Sequence, residues 1–165
     1  MAQAPRPPDM QRALAFPAVT DEAGPRAELV DPTGTIRFML AGNAHVTFQS
    51  RRTGARFTYR IDAERHDMGP HFVSVLDGPD NGRNYAYLGT IFERRAYYHG
   101  RKSRIDREAP SAIAFAWVWW RLTAGETHHE LAVYHEGRCG RCGRRLTTPE
   151  SIATGMGPIC AGRAS

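Results

Sequence analysis

The chain has 165 residues, 41% of them hydrophobic, which is enough for one domain with a real core. Its 22 basic and 17 acidic residues give a net charge of +5, and its longest apolar run is the nine residues 112–120. A membrane helix needs about 20 such residues, and the amino-terminal residues lack the apolar segment of a signal peptide. We therefore expect a soluble, cytoplasmic protein with no membrane partner, in which cysteines stay reduced.

Composition divides the chain into three parts. Residues 1–30 are rich in proline and show no sustained periodicity, which predicts a disordered or loosely attached arm. Short alternating runs begin at Thr35 and predict an α+β domain over residues 35–134. All three cysteines fall in residues 135–165, where we predict a small zinc-binding module.

Two β-hairpins are predicted first along the chain. Residues 44–50 and 55–61 alternate in the manner of paired strands, and Gly54 between them can supply the positive φ of the turn. Residues 71–76 and 84–92 are rich in β-branched and aromatic side chains and are separated by a segment dense in turn residues. The two hairpins predict an antiparallel sheet.

A helix and a last strand follow. A helix is predicted to begin at Pro110, because proline suits the first turn of a helix. Its apolar residues recur at helical spacing and form one stripe, which consists of Ile113, Ala116, Trp117 and Trp120. Trp119 lies outside this stripe, so it is either core or presented to a partner. Residues 130–134 predict a final strand. The predicted fold is a small antiparallel sheet of two hairpins plus a late strand, covered by one Trp-rich helix and followed by the zinc-binding module.

The three cysteines and a nearby histidine have the spacing of a closed metal site. His135, Cys139, Cys142 and Cys160 form the pattern H-x3-C-x2-C-x17-C. A structural zinc site takes four nitrogen or sulfur ligands in a tetrahedron. Glycines beside the Cys-x2-Cys pair let the backbone direct both thiolates at one ion. The pattern predicts one structural Zn²⁺.

The fourth ligand is the least determined part of this site. His135 is the preferred candidate because a short Glu-Gly segment can fold its imidazole back toward Cys139. His128 and His129 compete with it if the preceding strand runs across the site. A disulfide is disfavoured, because the number of cysteines is odd.

Positive charge is concentrated before the helix. Residues 94–107 contain six basic residues and one acid, so this stretch carries +5 and the rest of the chain sums to zero. Basic side chains interleaved with aromatics favour nucleic-acid binding, because arginines neutralise phosphates and rings stack on bases. The predicted nucleic-acid contacts are Arg94, Arg95, Tyr97, Tyr98, Arg101, Lys102 and Arg104, with Arg141 and Arg144 beside the cysteines as a second patch.

The segment from Cys139 to Cys160 resembles the C-terminal zinc-ribbon-like module of an uncharacterised family of bacteriophage and prophage proteins. Members read CGRCGR-x-L-T-x-P-E-S-I-x-x-G-x-G-P-x-C, and the TPESI and GMGP segments match together with the cysteines. The resemblance implies a metal-ligand role for the three cysteines and for His135. It also implies a phage origin and action inside a bacterial host cell, and it brings no established activity.

Two functions of different classes remain open. One is nucleic-acid binding through the basic segment. The other is a protein-interaction factor, such as a phage-encoded modulator or inhibitor of a host enzyme or of a defence system. An enzyme is disfavoured because the sequence contains no glycine-rich phosphate loop, nucleophile elbow or HExxH motif. The oligomeric state does not follow from the sequence.

Overall fold

A computed structural model describes residues 27–64 and 69–163. The predicted arm at residues 1–30 therefore lies almost entirely outside the described residues. Its last residues are described, and they include a short strand. Within these ranges the protein has the predicted α+β class.

The sheet is larger than predicted. Seven strands in the described part of the chain form one antiparallel sheet in the order β1-β7-β2-β3-β4-β5-β6. The hairpins and the late strand occur as expected, and β1 and β6 extend the sheet at its two edges. The strands are β1 (Ala27–Glu28), β2 (Asn43–Ser50), β3 (Arg56–Ala63), β4 (His71–Leu76), β5 (Tyr85–Phe92), β6 (Ala96–His99) and β7 (Leu131–His135).

Four helices accompany the sheet in residues 27–64 and 69–163. They are α1 (Pro32–Met39), α2 (Pro110–Thr123), α3 (Pro149–Thr154) and α4 (Pro158–Arg163). Helix α1 has no counterpart among the predicted elements, although Asp31 caps it by accepting a hydrogen bond from the Gly34 N–H at 2.6 Å. None of the described helices is long and apolar enough to cross a membrane.

Helix α2 packs on one face of the sheet through aromatic rings. The Phe115 ring contacts Phe48, Tyr59 and Tyr97, with centroid distances of 5.8, 5.0 and 4.8 Å. Trp119 stacks on Phe115 and is 3% exposed, and its indole N–H donates to the Arg95 carbonyl at 2.8 Å. Trp119 is therefore part of the core and not presented to a partner.

The turn between β5 and β6 has an unusual backbone. Glu93 and Arg94 have φ values of 52° and 58°, and the Arg95 N–H donates to the Phe92 carbonyl at 3.0 Å. Two successive positive φ values joined by such a hydrogen bond are the features of a type I′ hairpin turn, which normally carries Asn-Gly. This hairpin end therefore holds two residues in a conformation that costs about 1–2 kcal/mol each.

Candidate metal centre

The first two cysteines lie in a tight loop after β7. The Cys139 N–H donates to the Arg144 carbonyl at 2.8 Å, and the Gly143 N–H donates to the Cys139 carbonyl at 2.9 Å. Gly143 has a φ of 74°, which a glycine adopts without strain. These two hydrogen bonds close the loop around Cys142. Cys139 and Cys142 therefore belong to one compact turn.

The third cysteine comes from helix α4. Thr148 caps α3 through a capping box with Ser151, and Gly155 ends that helix at a φ of 72°. The chain then turns back, and the Gly157 N–H donates to the Cys139 sulfur at 3.5 Å. This return brings Cys160 to the loop that carries the other two cysteines.

The three sulfur atoms converge. The Sγ atoms of Cys139, Cys142 and Cys160 all lie within 4.8 Å of one another, and none is in a disulfide. A tetrahedral ion with metal–sulfur bonds of 2.3 Å would place its sulfur ligands about 3.8 Å apart. The three residues therefore fit one face of a tetrahedral metal site.

Local electrostatics affect the three thiols unequally. Burial opposes ionisation of Cys139, but N–H groups of Cys142, Gly157 and Arg141 outweigh it and lower its pKa to about 7. Burial and the two neighbouring thiols raise the pKa of Cys160 to about 11. A bound divalent cation is what allows such crowded sulfurs to be ionised together.

His135 does not join the sulfurs. It is fully buried, with its Nε2 atom 2.6 Å from the Ile152 carbonyl and its Nδ1 atom accepting a hydrogen bond from the Gly137 N–H at 2.9 Å. Both ring nitrogens are thus occupied by backbone groups, and neither is free to bind a metal in this conformation. The prediction of His135 as fourth ligand does not match this arrangement, because β7 ends at His135 and turns its side chain into the core.

The competing histidines also lie elsewhere. Donor atoms of His128, His129 and Glu130 lie within 4.8 Å of one another in a group that contains none of the cysteines. The two imidazole rings stack with centroids 4.4 Å apart. In the described part of the chain, no histidine or carboxylate joins the three-cysteine group, which supplies three ligands and not four.

Phe38 of α1 attaches this region to the rest of the protein. A Cβ atom added at Gly140 would lie 2.7 Å from the Phe38 ring, and one at Gly155 would lie 2.5 Å from it. The ring also packs against His135 at a centroid distance of 5.5 Å. This contact is absent from the predicted fold because α1 is absent from it. The Asp31-Pro32 helix start was the signal that could have found it.

The predicted nucleic-acid contacts differ in their exposure and in their partners. Arg94, Arg95, Arg101, Lys102 and Tyr98 are exposed, and so is Arg144 beside the cysteines, whereas Arg141 is partly buried. Arg104 forms an ion pair with Asp77. Tyr97 is 8% exposed and lies against Phe115, because alternation in β6 turns it toward the core and Tyr98 toward solvent. Tyr97 is therefore not placed to stack on a base.

Comparison with known proteins identifies one similarity. Residues 130–165 match a family of unknown function (DUF6011). The matched segment begins beside β7 and contains the three converging cysteines, so the cysteine cluster lies within the part of the chain that matches this family. No curated protein and no solved structure matches the chain.

Proposed function

We propose that Cys139, Cys142 and Cys160 bind one structural Zn²⁺. The observation that carries this proposal is the convergence of their three sulfur atoms within 4.8 Å, because three thiolates favour zinc over the hard cations. The fourth nitrogen or sulfur ligand that a structural site requires comes from outside the three-cysteine group, either from this chain or from a partner. The ion ties the loop after β7 to helix α4.

Metal analysis after purification without added zinc tests this proposal. We expect one equivalent of zinc in the native protein and none in the Cys139→Ser or Cys142→Ser variants. Structural zinc contributes apparent binding free energies of about 10–16 kcal/mol in small modules, so these variants should also lose order in residues 137–163. His129→Ala is the matched control and should retain the metal. Native protein without a metal ion would overturn the proposal.

We further propose that the protein binds nucleic acid through its basic segment. The support is a set of exposed cations, Arg94, Arg95, Arg101 and Lys102, that have no ion pair within residues 27–64 and 69–163. Arg104 contributes less, since Asp77 already neutralises it. Unpaired cations of this kind gain affinity for polyanions by releasing counterions.

Titration of labelled DNA and RNA at several salt concentrations tests this function. Each phosphate contact contributes about 0.7–0.9 to the slope of log affinity against log salt. The double variant Arg101→Ala with Lys102→Ala should therefore bind more weakly and with a slope reduced by about 1.5. Arg163→Ala, which removes an exposed cation of α4, is the control and should leave the slope unchanged. Absence of binding at low salt would contradict the proposal.

A phage-type protein acting in the bacterial cytoplasm is part of the same proposal. Its support is the resemblance between residues 139–160 and phage-type modules, together with three cysteines that stay free thiols. Zinc thiolate sites suit a reducing compartment.

A protein partner is the second candidate, favoured by the exposed apolar surface near α4. Val30 is 73% exposed and Ile159 is 70% exposed. Val30 also lines a cleft between α1 and the C-terminal helices, together with Ala153, Met156 and Ala161. Failure to bind nucleic acid at low salt, combined with capture of a host protein that Ile159→Asp abolishes, would favour this function.

A further inference from the structure

Three exposed aromatic rings lie together on adjacent strands. Phe72 of β4, Phe92 of β5 and Tyr98 of β6 are 37%, 46% and 48% exposed. Thr90 pairs with Phe72 on one side and with Tyr98 on the other, and the rings of Phe92 and Tyr98 are 5.9 Å apart. We refer to Phe72, Phe92 and Tyr98 as the aromatic patch.

Packing within the described protein does not account for this patch. The aromatic rings that support the fold, such as Tyr59, Tyr97 and Phe115, lie on the other face of the sheet and are at most 8% exposed. Single exposed apolar residues are ordinary, but contiguous ones mark interaction sites. The patch therefore has the character of a binding surface.

Cations lie at both ends of the strand that borders the patch. Arg94 and Arg95 precede β6, and Arg101 and Lys102 follow it closely. The four residues of β6 span about 13 Å at the usual rise of a strand. The Trp119 indole N–H donates a hydrogen bond to the Arg95 carbonyl at 2.8 Å. This bond fixes the end of the hairpin that carries Arg94 and Arg95. Positive charge thus flanks β6, the strand that carries Tyr98.

We infer that this face binds single-stranded nucleic acid, with bases stacked on the aromatic patch and phosphates held by the cations at each end of β6. The inference rests on the proposed nucleic-acid binding and names its substrate class. A duplex keeps its bases paired and stacked, so it offers phosphates but no free base faces to these rings. A single strand offers both phosphates and free base faces.

The test compares a labelled single-stranded oligonucleotide with the duplex of the same length, by fluorescence anisotropy. Stacking on one aromatic side chain contributes about 1–3 kcal/mol per base, so Phe92→Ala with Tyr98→Ala should weaken single-strand binding at least 10-fold. Duplex binding should stay unchanged, which also shows that the variant is folded. Phe92→Tyr keeps a ring and should retain the affinity, and Ile159→Ala is a control for an exposed apolar residue elsewhere.

Each outcome separates the two proposals. If the native protein binds neither form at low salt, the proposed nucleic-acid function fails. If it binds both forms and the aromatic variants bind them as well as the native protein, the function stands and the stacking surface is overturned. Equal loss in Phe92→Ala and Phe92→Tyr would also overturn it, because stacking requires only the ring.

Discussion

The Nε2 atom of His135 lies 2.6 Å from the carbonyl oxygen of Ile152, so the last residue of β7 holds helix α3 in place. Its Nδ1 atom fixes the start of the cysteine loop at Gly137. His135 therefore connects the strand, the loop and the helix without touching the sulfur atoms. In this conformation the histidine that the sequence suggests as a ligand stabilises the segments that carry the cysteines, through hydrogen bonds to their backbone.

This arrangement predicts that His135→Leu retains its metal and loses stability. The Ile152 carbonyl and the Gly137 N–H, both part-buried, would lose their partner, at a cost of about 1 kcal/mol each. Zinc content and the cobalt-substituted absorption spectrum should stay as in the native protein, whereas Cys160→Ser should change both. Loss of the metal in His135→Leu alone would show that His135 is the fourth ligand after all.

Gly155→Ala should destabilise the protein strongly. The residue has a φ of 72°, and its new Cβ atom would lie 2.5 Å from the Phe38 ring. The left-handed conformation and the overlap together cost about 2–4 kcal/mol. Gly162→Ala is the matched control, because it lies in α4 with open space around it and should be neutral or slightly stabilising. Urea unfolding of both variants measures the difference.

A substitution in the hairpin turn at Glu93 and Arg94 should stabilise the protein. Replacing Arg94 by glycine should raise the free energy of unfolding by about 1 kcal/mol, because glycine adopts positive φ without strain. Arg95→Gly should destabilise, since Arg95 does not have a positive φ. If Arg94 also contacts phosphates, Arg94→Gly will bind nucleic acid more weakly while unfolding at a higher temperature.

Acidification should destabilise the fold through His71. This residue is fully buried with its Nε2 atom 3.0 Å from the Leu40 carbonyl. Burial lowers its pKa, the Leu40 carbonyl opposes this effect, and the charge of Arg94 adds to it. In the unfolded chain His71 therefore binds a proton near pH 6.5, whereas in the folded protein it stays neutral at that pH. The contribution of His71 to the free energy of unfolding is complete above about pH 6.5 and falls as the pH drops below it.

Urea unfolding at pH 7 and at pH 5.5 measures this effect. The loss of unfolding free energy between the two should be smaller in His71→Gln, whose amide can still donate to Leu40 and does not titrate. The pKa values of His45, His128 and His135 are also lowered by burial and act in the same direction, so the comparison is between variant and native protein at each pH. An equal loss in both would contradict a role for His71.

Local patterns in the sequence predict the two hairpins and helix α2. In each case the signal lies within a few residues, such as the positive φ of Gly54 or the proline at the start of α2. The convergence of the three cysteines is also predictable, because their spacing and the neighbouring glycines have the pattern of a metal site.

The remaining features depend on contacts between distant residues. Helix α1 contains Gly34 and two threonines, which are weak helix formers, and it is stabilised by packing of Phe38 on a segment about 100 residues away. Nothing local distinguishes Tyr97 from Tyr98, because only the pairing of β6 with β5 decides which ring faces the core. The role of His135 likewise depends on Ile152.

Strand β7 lies between β1 and β2, both of which come from earlier in the chain, and it runs directly into the cysteine loop. The segment that relates this protein to others therefore begins with an interior strand whose backbone groups need neighbours on both sides. That strand can pair on both sides only when the rest of the sheet leaves a position open between β1 and β2. Two separately produced fragments, divided between α2 and β7, should consequently reassemble by strand insertion into one folded protein.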